Sequence, residues 1–147
     1  RRLPLLLAIT QLTMAFQPLN YEDGKTMLLP CTNTAFVKGD AIKTTSGVGT
    51  PAASGDNTDV WFVAAETKTI AASGDPLLVY TTSDVKFEVD CSNTPTQAQM
   101  MLAVDLSAAG TVDTSAVTDQ VFFVERPVLP LSAKKVVGYF TRGVPNS

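Results

Sequence analysis

Histidine is missing from the 147-residue sequence altogether, cysteine occurs only twice and tryptophan once. Without histidine neither a Ser-His-Asp nor a Cys-His arrangement can form, which removes the commonest general base from hydrolytic chemistry. The same absence, with Cys31 and Cys91 far apart and no second cysteine pair, leaves no zinc-ligand set. Charge is scarce too: 17% of residues are charged and the net charge is -3. With no cluster of Lys and Arg to displace counterions from phosphates, nucleic acid is not an expected partner. No apolar run reaches the roughly 20 residues that span a bilayer, so no membrane partner is expected either. No cofactor is expected.

What fills the space is hydrophobic and β-branched. Hydrophobic residues make up 45% of the chain, and Val and Thr are frequent. Their stiff side chains suit a pleated surface better than a helix. The length fits one domain with one core. Short apolar runs separated by turn signals then predict strands over 36–43 with a bend at Gly39, and over 59–64, 77–81, 103–106, 120–125 and 136–141. The clearest is 85–91, where Val85, Phe87, Val89 and Cys91 share one face while Lys86, Glu88 and Asp90 share the other. Since Cys91 continues an apolar face, the two cysteines are expected as free, partly buried thiols, with a disulfide the open alternative.

Thr94-Pro95-Thr96-Gln97 carries helix-start signals and predicts one short helix over about 95–102, with Met100 and Met101 as gap-filling core. Pro127 and Pro130 keep the 126–131 stretch out of a central ladder position and make it a crossing segment or an edge. Ala52-Ala53-Ser54-Gly55-Asp56 recurs as Ala71-Ala72-Ser73-Gly74-Asp75, which predicts two similar tight turns rather than a solenoid.

The first 25 residues read differently from the rest. A basic start and the apolar Leu3, Leu5, Leu6, Leu7, Ile9 and Leu12 resemble a secretory signal, but are taken as an arm, ending at Phe16, that packs on a neighbouring subunit. Local docking under the protein's own barrel is the competing arrangement. Gln17 to Lys25, with its Pro, Asn and Gly, reads as a connector. The expected organisation is an arm and connector over 1–25 and a body over 26–147.

Candidate chemistry is thin. Glu88 and Asp90 have the separation of a carboxylate pair, but any solvent-facing strand shows it, and no aromatic cluster surrounds them. Asp56, Asn57 and Asp59 lack the Gly and distal Glu of a calcium loop and read as a turn cap. Ser132 beside Lys134 and Lys135 reads as a solvated lead into the last strand. Trp61, between Val60 and Phe62, reads as a core or interface aromatic. Lys38-Gly39-Asp40 is a weak match to an adhesion tripeptide. No catalytic residue is assigned, and the chain is expected not to be an enzyme.

The run Ala35 to Ile42, the Gly-rich turn after it, the strand at Trp61 to Ala65 and the late Val136 to Phe140 resemble the head decoration, or capsid cement, proteins of tailed bacteriophages. The resemblance covers about residues 26–142 and rests on a rhythm of strands and turns. It implies an all-β fold, a small β-barrel or β-tulip-like domain with an extended N-terminal arm and at most one short helix. It further implies a homotrimer on the outer capsid surface of a virion that clamps neighbouring subunits of the major capsid protein. The apolar front also fits a secreted or envelope-associated β-sandwich that binds carbohydrate or acts as an adhesin.

Overall fold

The computed structural model describes residues 15–19, 26–56, 60–83 and 85–141. Among the described residues there are thirteen strands: β1 (Gln17–Pro18), β2 (Thr26–Pro30), β3 (Ala35–Phe36), β4 (Ala41–Thr45), β5 (Val48–Pro51), β6 (Val60–Ala64), β7 (Lys68–Thr69), β8 (Pro76–Thr81), β9 (Phe87–Cys91), β10 (Leu102–Ala108), β11 (Thr111–Asp113), β12 (Phe122–Pro127) and β13 (Lys135–Phe140). The fold is all-β, as the Val- and Thr-rich composition predicts.

Five strands close a barrel in the order β9, β11, β10, β12, β13 and back to β9. Every pairing in the ring is antiparallel except β9 with β11. Strict alternation on β9 aims Phe87, Val89 and Cys91 inward, where they meet Val104, Leu106, Val112, Phe122, Val124, Val136 and Phe140. Closure depends on Gly138: a Cβ there would stand 1.8 Å from the Phe123 carbonyl oxygen, beside the irregular register between Val124 and Arg126. No side chain fits that approach.

A second sheet runs β2, β8, β6, β4, β5, all antiparallel. Its two ends meet through a parallel bridge between Cys31 and Gly49, where the Thr32 N–H donates to the Gly49 carbonyl at 2.9 Å. A Cβ on Gly49 would come within 2.7 Å of Leu29 and 3.1 Å of the Cys31 sulfur, so glycine lets the sheet curl onto itself. Leu29, Cys31, Ile42, Ala64, Leu77 and Val79 fill the curl, with Phe36 and Ile70 from the β3–β7 ribbon and its end. The opposite face contributes Ala41, Val60, Val63 and Tyr80 to the barrel's core cluster. On β6, Val60 and Val63 join the barrel cluster while Phe62 and Ala64 pack in the curl, so Val60 does not share a face with Phe62 and Ala64. The single expected core is therefore two clusters that share a sheet.

Three expectations change. The strand expected across 36–43 is two strands of different sheets, because Gly39 (φ 97°) turns the chain and the Asp40 N–H closes the turn on the Val37 carbonyl at 3.0 Å. The helix expected over 95–102 is a 3₁₀ turn, Gln97–Gln99. Its cap lies at Thr96 rather than the expected Thr94, the Thr96 N–H donating to the Gln99 side chain at 3.0 Å, and the turn stops because Met101 takes φ 66° and its N–H already donates to Val124 in the barrel ladder. Met100 packs on the core as expected, whereas Met101 is exposed. The body does not begin at Thr26, since Phe16 lies in the barrel core and β1, within the supposed connector, pairs with β9.

The repeated turns are as alike as their sequences. In each, Gly takes a positive φ (95° at Gly55, 101° at Gly74) and the following Asp N–H donates back three residues, to Ala53 at 3.1 Å and Ala72 at 3.0 Å. This is type II turn geometry, with Gly where a side chain is disfavoured. Val37 to Asp40 is a third copy, and in the first and third the Asp carboxylate also accepts the opening N–H, at 2.7 Å from Ala53 and 3.0 Å from Val37.

Candidate functional site

The most elaborately built feature is the seat of the segment 15–19. Ala15 sits between Gly39 and Gly110, where an added Cβ would come within 2.7 and 2.9 Å of the Ala15 Cβ. Phe16, 2% exposed, enters the barrel and meets Phe140 at 4.7 Å, Phe122 at 5.3 Å and Phe87 at 6.2 Å between ring centroids. Its N–H donates to the Gly39 carbonyl at 3.0 Å. Gln17 and Pro18 then pair with Glu88 and Phe87, and the Leu19 N–H donates to the Lys86 carbonyl at 2.8 Å. Since β13 runs along the other edge of β9, β1 occupies the stretch of edge that β11 leaves free. Pro18 suits this edge position, as its missing N–H would point away from the ladder.

Where the segment leaves its seat, a cleft of about 600 Å³ opens beside Leu19. Its floor is a cross-strand row, Glu88 on β9, Val137 on β13 and Arg126 on β12, and Val128 and Leu129 form its rim. Leu129 is 73% exposed and Leu19 45%, so the cleft carries apolar surface unusually open to water. Exposed apolar side chains also occur on the second sheet, Met27 and Leu28 on β2 and Trp61 on β6, and elsewhere at Val37, Met101, Leu102 and Val117. Trp61, at 42% exposure, is thus a surface residue rather than a core one.

The titratable groups singled out by the sequence are not brought together for catalysis. Asp90 is ion-paired with Lys135, while Glu88 lines the cleft floor. Asp56 pairs with Lys43 at 3.2 Å and caps its own turn; Asn57 and Asp59 lie outside the described residues. Ser132 is exposed in a 3₁₀ turn, Leu131–Ala133, away from any activating arrangement. The Asp40 carboxyl is pushed up by burial, against the effect of the Val37 N–H. Both cysteines are free and buried. Burial pushes the Cys91 thiol up to about 12, aided by the Asp90 charge, and burial raises Cys31 as well, so neither is an activated nucleophile. Among the described residues no three metal-ligating side chains converge.

No protein-family model matches the chain, and no curated protein matches it.

Of the residues expected at an interface, Leu3, Leu5, Leu6, Leu7, Ile9 and Leu12 lie outside the described residues. Phe16, expected at the end of an arm packed on a neighbouring subunit, instead fills the interior of its own barrel. The seat glycines and the Leu129 rim were missed. Gly110 follows Ala108-Ala109, a sequence typical of any turn, and nothing local signals that Ala15 will lie against it.

Proposed function

We propose that this chain is a structural virion protein, not an enzyme, that decorates the outside of a phage capsid and clamps neighbouring subunits of the major capsid protein as a homotrimer. The observation that carries the reading is the seat of residues 15–19, a strand and an aromatic anchor fixed into a closed barrel. An apolar arm is useful as a clamp only if its root is immobile, and Phe16 supplies a root inside a rigid core. Leu3, Leu5, Leu6, Leu7, Ile9 and Leu12 are then the residues that contact the capsid or the next subunit. Burying each is worth about 1.5–3 kcal/mol, so a few suffice to offset the ordering of a short arm. A barrel and a curled second sheet, each with its own apolar cluster, supply rigidity and area, which is what a cement requires, and strand addition supplies a mode of attachment.

The cut that tests the arm is at Ala15, because one at Gln17 would remove the Phe16 anchor with it. A chain starting at Ala15 is expected to keep its β-rich circular dichroism spectrum and to stop co-sedimenting with particles purified from the source culture. Equal binding by the full and shortened chains, or particles that never carry the full chain, would overturn the proposal. One observation favours a second reading, a carbohydrate-binding module: Phe123 and Tyr139 stack at 5.1 Å and 25° on the outer barrel face. Saturable glycan binding that is lost in Tyr139→Ala, without particle binding, would select it.

A further inference from the structure

We infer that the cleft beside Leu19 binds an aliphatic zwitterion, a small molecule that holds an ammonium and a carboxylate at opposite ends of a short hydrocarbon spacer. The reason begins with the register of three strands. Val136 points into the barrel core, so Val137 points outside, where it pairs with Glu88 on one side and Arg126 on the other. A regular ladder would set Glu125 opposite Val137, since Val124 pairs with Gly138. The register shift between Val124 and Arg126 passes over Glu125, which ion-pairs with Lys86 at 3.0 Å, and brings Arg126 into the row instead. A bulge is a common means of re-aiming one side chain in this way. It converts a floor with two carboxylates into one with a carboxylate and a guanidinium.

Neither Glu88 nor Arg126 takes part in an ion pair or a side-chain hydrogen bond among the described residues, whereas Lys43, Lys86 and Lys135 are all ion-paired. Adjacent strands are about 4.8 Å apart, so the two Cα atoms stand roughly 10 Å from each other with Val137 between them. Val137 is 1% exposed and Leu19, Val128 and Leu129 wall the cleft, so the ground between the charges is hydrocarbon. A volume of about 600 Å³ with apolar walls and a few polar groups has the make-up of a small-molecule site. The charges select the class of ligand. A simple anion drawn to Arg126 meets Glu88 across the cleft, and a simple cation drawn to Glu88 meets Arg126, so either gains at one end and loses at the other. A molecule that carries both charges gains at both ends, and its spacer lies over Val137 and against the Leu129 rim. Gln97, also in the lining, has an amide that can donate to the carboxylate or accept from the ammonium. The site uses no residue of the arm, so it stands or falls apart from the decoration reading.

The probe is aminocaproate, titrated into the isotopically labelled full chain and followed by its amide NMR signals. Aminobutyrate and aminocaprylate supply a shorter and a longer spacer, and caproate and hexylamine are the single-charge halves. Saturable shifts centred on Leu19, Glu88, Leu129 and Val137 are expected for at least one zwitterion, with caproate and hexylamine binding about tenfold or more weakly, the worth of one charge-assisted hydrogen bond. Glu88→Gln and Arg126→Gln, at half-buried and exposed positions, are each expected to keep the β-rich circular dichroism spectrum and to weaken the best zwitterion to the level of a single-charge half. Absence of saturable shifts with all three spacers overturns the inference. So does caproate or hexylamine binding as tightly as the zwitterion, or an unchanged affinity in both variants. Should a variant lose its fold, the comparison of the zwitterion with its halves on the native chain decides alone.

Discussion

Phe16→Ala removes a ring that is 2% exposed and has three aromatic neighbours with centroids at 4.7, 5.3 and 6.2 Å. Its substitution leaves the ends of Phe87, Phe122 and Phe140 facing a void that the closed barrel cannot collapse, because the ring of five strands fixes its diameter. A buried Phe→Ala change costs about 3–5 kcal/mol, and edge and tilted ring pairs add about 0.5–1.5 kcal/mol beyond burial. The expected loss is roughly 4 kcal/mol, a large part of the about 5–15 kcal/mol that holds a domain of this kind together. Urea unfolding followed by circular dichroism and by the fluorescence of the sole tryptophan, Trp61, reads the change as a lower midpoint with an unchanged slope. Leu19→Ala is the internal control: at 45% exposure it is expected to cost under about 1 kcal/mol in dilute monomer. A Phe16→Ala loss under about 1 kcal/mol, or equal losses at the two positions, would refute the seating of the segment and everything built on it.

Asp105, 6% exposed, accepts the N–H groups of Asp119 at 2.7 Å, Gln120 at 2.8 Å and Thr118 at 3.2 Å, and so ties the 114–120 loop to β10. Asp105→Ala is expected to cost about 2–4 kcal/mol in urea unfolding, with faster amide exchange at those three positions; a change under about 0.5 kcal/mol would show that water replaces the carboxylate freely. The Cys91 thiol, pushed up to about 12 from 9.0, stays protonated in the folded state where the unfolded chain ionises. Stability from this group is thus complete below pH 9 and falls as pH rises toward 12, by about 1.4 kcal/mol per pH unit. Cys91→Ala should flatten that slope, and an unchanged alkaline profile in the variant would contradict the assignment.

Sequence reading located strands well where one face is dry and one is wet. The alternation over Val85 to Cys91 is a direct record of the barrel wall, and the buried and half-buried pattern of β9 follows it residue by residue. The turn chemistry was equally legible, because a Gly-Asp pair needs only its own neighbours to fix the backbone. The failures lie where a distant partner overrides a local signal. The start signals at Thr94 and Gln97 are answered two residues later, by Thr96 and Gln99, and the helix goes no further because Met101 is captured by Val124 across the barrel. At Gly39 the apolar residues on either side look like one strand, but they belong to two sheets, and the pattern does not encode which sheet a strand joins.

Segment 15–19 is the extreme case of the same rule. A two-residue strand with a proline has no periodicity to detect, so Gln17-Pro18 reads as a connector. Its placement is set by complementarity with two glycines, in the β3–β4 and β10–β11 turns, and three rings on β9, β12 and β13. That kind of information is indifferent to chain connectivity, since the seat recognises a small residue followed by an aromatic on an extended backbone, whatever joins it to the rest. The site was therefore invisible in the sequence because its parts are far apart in the chain, and no local pattern records how they fit together.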